Sequence, residues 1–219
     1  MASKKISPTL QGMEERAVPA TLLNGNLNIV GTPTNDTVDV RRVDTANGDM
    51  IQVNQDGNYQ YFTPSQVHLV KFWGLDGDDS FVYSGSKDVV AMGGAGSDTL
   101  ISGGGNDKLH GGSGHDLLRG HDGNDILLGD AGNDWLSGGD GNDKLHGDKG
   151  NDVLLGGDGN DVLRGGAGKD VAFGGNGNDQ FYGLAQDTGS LSAPISTPYG
   201  TAYFYGIQDF DSNQDRIWS

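Results

Sequence analysis

The sequence predicts an all-β chain folded as a right-handed parallel β-roll, a solenoid of stacked nonapeptides with β-rich caps at both ends. Three observations predict it. A nine-residue unit recurs ten times without a gap from Gly93 to Tyr182. Gly holds position 4 and Asp holds position 6 in all ten units. Position 8 is Leu eight times, with Ala172 and Phe181 in the last two units. A short fixed period of this kind marks an architecture in which each unit buries its apolar side only by stacking on its neighbours.

Composition sets the outer limits. Among 219 residues there are 39 Gly, and Asp+Glu outnumber Lys+Arg by 30 to 14, for a formal charge of −16. Glu occurs only at Glu14 and Glu15, so the acid is almost all Asp. Hydrophobic residues make up 34 %, a share that would suggest disorder if the apolar positions were not so regularly placed. A pI near 4.3 argues against nucleic acid or an anionic lipid surface as partner. No run of about 18 apolar residues exists, so no membrane span is expected. Without Cys there is no disulfide frame, zinc–thiolate site or thiol nucleophile.

Taken in order, residues 1–21 read as a linker or disordered segment. Residues 1–20 lack the apolar core of a secretory signal peptide, so either the chain is trimmed at its start or export uses another signal. Residues 22–72 read as an N-terminal β cap with strands at Leu27–Val30, Val38–Val43, Met50–Val53, Tyr59–Phe62 and Val67–Phe72. Turn signals fall at Asn24-Gly25, Asn47-Gly48 and Asp56-Gly57. Gly31–Asp39 reads as a degenerate nonapeptide with Asp36 at position 6 and Val38 at position 8. Residues 73–182 form the roll. Its first two units are weak: Gly74–Val82 keeps Asp79, and Tyr83–Ala91 keeps Asp88, after which Met92 is read as one extra residue. Residues 183–219 read as a C-terminal capping segment, with Tyr203, Tyr205, Phe210 and Trp218 closing the end of the core.

Within a unit, Gly-rich positions 1–4 permit positive φ and a sharp turn. Positions 7–9 form a short strand whose side chains alternate, so position 8 faces inward. If two units make one turn, residues 18 apart lie above one another at about 4.8 Å, and ten units build a rod of roughly 24 Å. Leu100, Leu118, Leu136 and Leu154 then line one sheet, and Leu109, Leu127, Leu145 and Leu163 the other. The outward positions of the first sheet are the more apolar, with Leu117, Trp135, Val153, Val171, Leu155 and Phe173. That face is expected to meet a terminal segment, a protein partner or a second copy of the chain.

Stacking also lines up carboxylates. Like charges about 5 Å apart repel by about 1 to 3 kcal/mol per pair, depending on the effective dielectric. Two columns of such pairs would oppose folding unless cations lie between them. The ligands on offer are all oxygen, from Asp side chains and open Gly-turn carbonyls, which favours Ca²⁺ over Zn²⁺ and over the tighter octahedron of Mg²⁺. One column offers Asp98/Asp116, Asp116/Asp134, Asp134/Asp152 and Asp152/Asp170. The other offers Asp107/Asp125, Asp125/Asp143, Asp143/Asp161 and Asp161/Asp179. Those pairings predict about eight inter-loop Ca²⁺ sites, whose charge matches the formal −16. Asp79/Asp98 and Asp88/Asp107 would add two more.

The unit G-G-x-G-x-D-x-U-x resembles the RTX (hemolysin-type calcium-binding) repeat, strongly over 93–182 and weakly over 74–92. The resemblance implies that each ion also takes carbonyls from positions 1 and 3 of one loop and positions 2 and 4 of the next. The loops concerned are Gly111, Gly112, Ser113 and Gly114; Gly120, His121, Asp122 and Gly123; Gly129, Asp130, Ala131 and Gly132; Gly138, Gly139, Asp140 and Gly141. They continue as Gly147, Asp148, Lys149 and Gly150; Gly156, Gly157, Asp158 and Gly159; and Gly165, Gly166, Ala167 and Gly168. Ser102, His121, Asp130 and Asp148 depart from Gly at positions 1 or 2, which carbonyl ligation tolerates if the backbone angles do. After the repeats, Ile207, Asp209, Phe210, Asp215 and Ile217 resemble the closing strands that follow such blocks.

The chain is not expected to be an enzyme. It has no H-E-x-x-H and no G-x-S-x-G, and His68, His110, His115, His121 and His146 are too scattered to share a zinc. The resemblance implies a module that stays unfolded where calcium is scarce, passes a secretion channel and folds outside, at a cell surface or in the extracellular space. Four readings stay open: a free-standing module, the calcium module of a larger protease, lipase, epimerase or toxin, an adhesin or surface-layer element, and an engineered calcium-responsive scaffold.

Overall fold

Alternation of apolar and polar residues shapes the chain into strands from Val18 onward. The computed structural model describes residues 18–46 and 48–183, together with short strand segments at 195–197, 200–202, 206–207 and 216–218. The N-terminal strands are β1 (Val18–Leu23), β2 (Asn26–Val30), β3 (Thr37–Thr45), β4 (Gly48–Gln55), β5 (Asn58–Phe62) and β6 (Leu69–Asp76). A single 3₁₀ turn, Pro64–Gln66, separates β5 from β6. The transition into the repeats is made by β7 (Ser80–Ser84), β8 (Asp88–Ala95) and β9 (Thr99–Ile101). The regular coils follow as β10 (Lys108–Ser113), β11 (Leu117–Asp122), β12 (Ile126–Ala131), β13 (Trp135–Asp140), β14 (Lys144–Lys149), β15 (Val153–Asp158), β16 (Val162–Ala167), β17 (Val171–Asn176) and β18 (Gln180–Tyr182). Last come β19 (Ile195–Thr197), β20 (Gly200–Ala202), β21 (Gly206–Ile207) and β22 (Arg216–Trp218).

Two sheets of ten strands face each other. One runs β1-β2-β6-β8-β10-β12-β14-β16-β18-β22, and the other β21-β17-β15-β13-β11-β9-β7-β3-β4-β5. From β6 and β7 onward successive strands of each sheet are parallel, which is the expected β-roll. The 18-residue spacing holds through the repeats, as in Leu109 beside Leu127 and Leu118 beside Leu136. The position 8 side chains form two continuous inner rows. One runs Phe72, Ala91, Leu109, Leu127, Leu145, Leu163 and Phe181, and the other Phe81, Leu100, Leu118, Leu136, Leu154 and Ala172, all buried. Across the core Phe72 stacks on Phe81 with ring centroids 4.9 Å apart.

Four expectations need correction. The regular strands span six residues, positions 7–9 of one unit and 1–3 of the next, so only positions 4–6 turn. Positive φ is confined within each unit to positions 2 and 4, as at Gly112 (117°) and Gly114 (132°). The segment read as linker contributes β1 from Val18, paired antiparallel with β2.

The fourth correction concerns register. Lys108 pairs with Val90 and Leu109 with Ala91, so Met92 belongs at position 9 and the inserted residue is Tyr83. Asp88 therefore stands at exposed position 5, and Val89 takes position 6. The Asp88/Asp107 pairing is lost with it. Val89, Val90 and Ala91 are all apolar, which is why alternation alone could not fix this frame.

At the C-terminal end β21 and β22 extend the two sheets, with Ile207 beside Ala172 and Ile217 beside Phe181. The seal expected of Tyr203, Tyr205 and Phe210, like the Asn47 half of one turn, lies outside the described residues. Among the described residues no helix is long and apolar enough to cross a membrane.

Candidate metal centre

The turns at positions 4–6 place the recurring Asp of each unit at the sheet margin, pointing back along the stack. In the first column Asp36, Asp79, Asp98, Asp116, Asp134 and Asp152 each donate a backbone N–H to Oδ1 of the next Asp, over 2.7–3.0 Å. In the second column Val89, Asp107, Asp125, Asp143 and Asp161 do the same over 2.7–2.9 Å. All eight 18-residue pairs predicted from the sequence are therefore vertical neighbours, and so are Asp79 and Asp98.

The second oxygen is left over. Oδ2 of Asp79, Asp98, Asp116, Asp125, Asp134, Asp143, Asp152 and Asp161 is buried with no hydrogen-bond partner. A buried carboxylate oxygen without a donor carries its full desolvation cost. The space it occupies exists because position 1 is Gly: a Cβ on Gly111 would lie 2.2 Å from Asp116 Oδ2, and one on Gly147 2.3 Å from Asp152 Oδ2. Ser102 is the exception, buried with its hydroxyl donating to the carbonyl of Gly120 at 3.0 Å.

Asp170 is the last described acid of the first column and Asp179 that of the second. Each is buried, and each Oδ1 accepts the N–H of the acid before it, from Asp152 at 3.0 Å and from Asp161 at 2.9 Å. Both stand where the 18-residue spacing places them. Each also has an interaction beyond that hydrogen bond.

Burial is the first cause of the altered acidity. It pushes Asp152 up to about 8, and Asp79, Asp116, Asp125 and Asp161 up to about 7. In each case the accepted backbone N–H works against the rise and neighbouring carboxylates add to it. Asp107 and Asp134 rise to about 6, and Asp98 and Asp143 rise as well, again through burial. These carboxyls resist ionisation as long as nothing positive faces them.

Backbone carbonyls supply further oxygen in the same gaps. The position 2 and position 4 carbonyls point up the stack, so that a Cβ on Gly112 would lie 2.1 Å from Gly94 O and one on Gly114 1.9 Å from Gly96 O. The position 3 carbonyl points down, and Ser113 O accepts the Gly96 N–H at 2.8 Å. Position 1 points the same way, since Gly138 O lies 2.8 Å from a Cβ placed on Gly120. Carbonyls of positions 1 and 3 from one coil thus face those of positions 2 and 4 from the coil beneath. His121, Asp130 and Asp148 keep this geometry as non-Gly residues, with φ of 74°, 72° and 71°. Polar side chains of these types are the ones most often found in that region. The side chains of Asp122, Asp140 and Asp158 point outward and are exposed, so only their carbonyls face the gaps. Asp130 pairs outside with the His110 ring.

Position 5 carries a second ladder that the sequence reading missed. Asn106, Asn124, Asn142 and Asn160 each accept the backbone N–H of the residue 18 further on, over 2.8–3.0 Å. The recurring Asn-Asp dipeptide was its signal. This ladder is neutral and complete without any ion. Among the described residues no three His, Asp or Glu side chains converge, so a cation between coils would combine carboxylates from different turns with backbone oxygen. On the outer face of the sheet that holds β13, β15 and β17, Trp135, Leu155 and Phe173 pack on buried Val153 and Val171.

The donor set is therefore hard oxygen from flexible turns, a set that suits Ca²⁺. No curated protein and no solved structure matches the chain. A model of the RTX calcium-binding nonapeptide repeat matches residues 90–118, 119–154 and 155–188. Over residues 90–188 the chain belongs to the family of RTX calcium-binding nonapeptide repeats.

Proposed function

We propose that the chain is a calcium-dependent structural module of a secreted or cell-surface protein, with ions seated between successive coils. The Oδ2 atoms of the two columns, buried and unpaired from Asp98 to Asp161, carry this reading. An ion in each gap would take Oδ2 and the facing carbonyls, while Oδ1 keeps or exchanges its backbone N–H. The sites proposed are the eight 18-residue pairs, with Asp79/Asp98 as a ninth. Because each site is built from two coils, it exists only once they stack, so calcium binding and folding of the repeats are one equilibrium. Modules of this kind bind in a range of roughly 10⁻⁴ to 10⁻³ M, which fits a chain that folds on reaching the extracellular space. The role is structural, with the ridge at Trp135, Leu155 and Phe173 available to a protein partner or a second copy.

The test is a calcium titration of the full chain followed by circular dichroism and calorimetry. The repeats should gain β signal cooperatively and bind several ions per chain. A β spectrum unchanged by strong chelator would overturn the reading.

A further inference from the structure

The two aspartate columns begin differently from the way they run. At the head of the first, Asp36 Oδ2 accepts the Thr32 N–H at 2.7 Å and the Thr32 hydroxyl at 3.2 Å. The atom left unpaired in Asp98 and Asp116 is paired here by the protein itself. At the head of the second, Val89 replaces the acid yet still donates its N–H to Asp107 Oδ1 at 2.7 Å. Beside it the inserted Tyr83 is buried, and its hydroxyl accepts the Lys87 N–H at 3.1 Å. That ring occupies the space at Gly85, where an added Cβ would lie 2.2 Å from its oxygen. A neutral phenol thus fills the turn.

The core changes at the same boundary. Each regular coil contributes two inward Leu or similar residues, whereas the N-terminal coils bury Leu27, Ile29, Val40, Val53, Val70 and Phe72 among others. The far end is shut where the Ala20 N–H donates to Gln60 Oε1 at 2.7 Å, tying β1 to β5. Two orphans remain on this side, Asn54 Oδ1 and Asp79 Oδ2. Asp79 lies on the turn between β6 and β7, where the coil that carries Asp98 docks. Its Oδ2 is solvated whenever the coils that follow are absent, and its desolvation cost arises only as they dock.

We propose that residues 18–92 form a calcium-independent seed, and that the calcium-dependent coils add in order onto its open strands β7 and β8. The inference rests on the calcium reading of the repeats and limits it: calcium governs the coils after the boundary and leaves the N-terminal end folded. A seed of this kind removes the costly first step of stacking, because each new coil finds a finished edge to pair with.

Hydrogen exchange on the full chain, in excess chelator and in millimolar calcium chloride, tests this directly. Amides of Leu27, Val40, Val53 and Phe72 should be protected in both conditions, and those of Leu127 and Leu145 only in calcium. Free exchange of the first group in chelator would overturn the seed. Protection of Leu127 and Leu145 in chelator would instead overturn the calcium reading, so the two failures are distinct. Val53→Asp, which places a charge in the seed core and touches no repeat, should slow calcium-triggered folding of the repeats about ten-fold or more in stopped-flow circular dichroism. An unchanged rate would overturn the templating.

Discussion

Asp116 accepts the backbone N–H of Asp98 through Oδ1 at 2.8 Å, while its Oδ2 is buried against Gly111 with no donor in reach. One carboxylate is thus half satisfied by the coil below and half exposed to a gap that only a cation or a proton can complete. Repetition of this arrangement along two columns governs how the roll responds to mutation, to acid and to calcium.

Asp134→Asn keeps the Oδ1 acceptor for the Asp116 N–H and removes the charge. In calcium it should abolish the ions in the two gaps it borders and raise the calcium midpoint. Asp170→Asn should likewise abolish the ion of the Asp152/Asp170 gap. In chelator Asp134→Asn should increase the folded fraction of the repeats, because an amide is easier to bury than a carboxylate. Calorimetric stoichiometry and circular dichroism read these effects, and an Asp134 variant impaired in both conditions contradicts the account.

The pH dependence follows from the raised acidities. The ordinary Asp value is 3.8, and burial in the ion-free folded columns pushes Asp134 up to about 6, Asp116 to about 7 and Asp152 to about 8. The folded form then holds more protons between those limits, so its stability is fullest below the unfolded value and is lost as pH rises through the folded ones. In chelator, β signal should grow as pH falls from about 8 to about 5. With calcium present the midpoint should move to higher calcium over the same change, since protons and ions compete for the same oxygens. A chelated sample that instead gains structure as pH rises from about 5 to about 8 contradicts the sign.

Backbone requirements differ between the two positive-φ positions. Gly114→Ala places a Cβ 1.9 Å from Gly96 O at a φ of 132°, and should destabilise the calcium-loaded roll by more than about 2 kcal/mol. Leu75 holds a φ of 88° at position 2 and is 46 % exposed. Leu75→Gly should therefore stabilise by about 0.5 to 1 kcal/mol, relief of the left-handed strain exceeding the added chain entropy. Thermal melts in saturating calcium compare the two.

In the middle of one inner row Leu136 is fully buried between Leu118 and Leu154. Leu136→Ala should cost about 2 to 5 kcal/mol in saturating calcium. Leu155 sits on the outer face and is half-buried, so Leu155→Ala should cost distinctly less. Denaturant unfolding of the two variants checks the order, and equal losses would mean the outer ridge is as well packed as the core.

Much of this was legible because the repeat is strict. Asp at position 6 and Leu at position 8, spaced by 18, gave both columns and both inner rows, and alternation in 22–72 located β2 to β6 to within a few residues. What sequence could not supply was phase. Tyr83 and Met92 are equally good candidates for an extra residue, and only the pairing of Lys108 with Val90 decides between them. The distribution of oxygens was hidden too, because it depends on which backbone N–H each carboxylate meets. Position 5 asparagines look like loop filler until the turns are stacked. The pairing of Asp36 with Thr32 depends on a turn that departs from the repeat consensus.

The inserted Tyr83 has a further consequence for the fidelity of assembly. Ten nearly identical units 18 residues from their mates would pair almost as well one whole coil out of step, and nothing inside the array distinguishes the frames. The irregular N-terminal end, with an odd residue, a stacked Phe72 and Phe81, and a valine in an acid's place, fits a single partner. It marks an origin from which the later coils are counted, so slippage along the rod is corrected at this aperiodic turn.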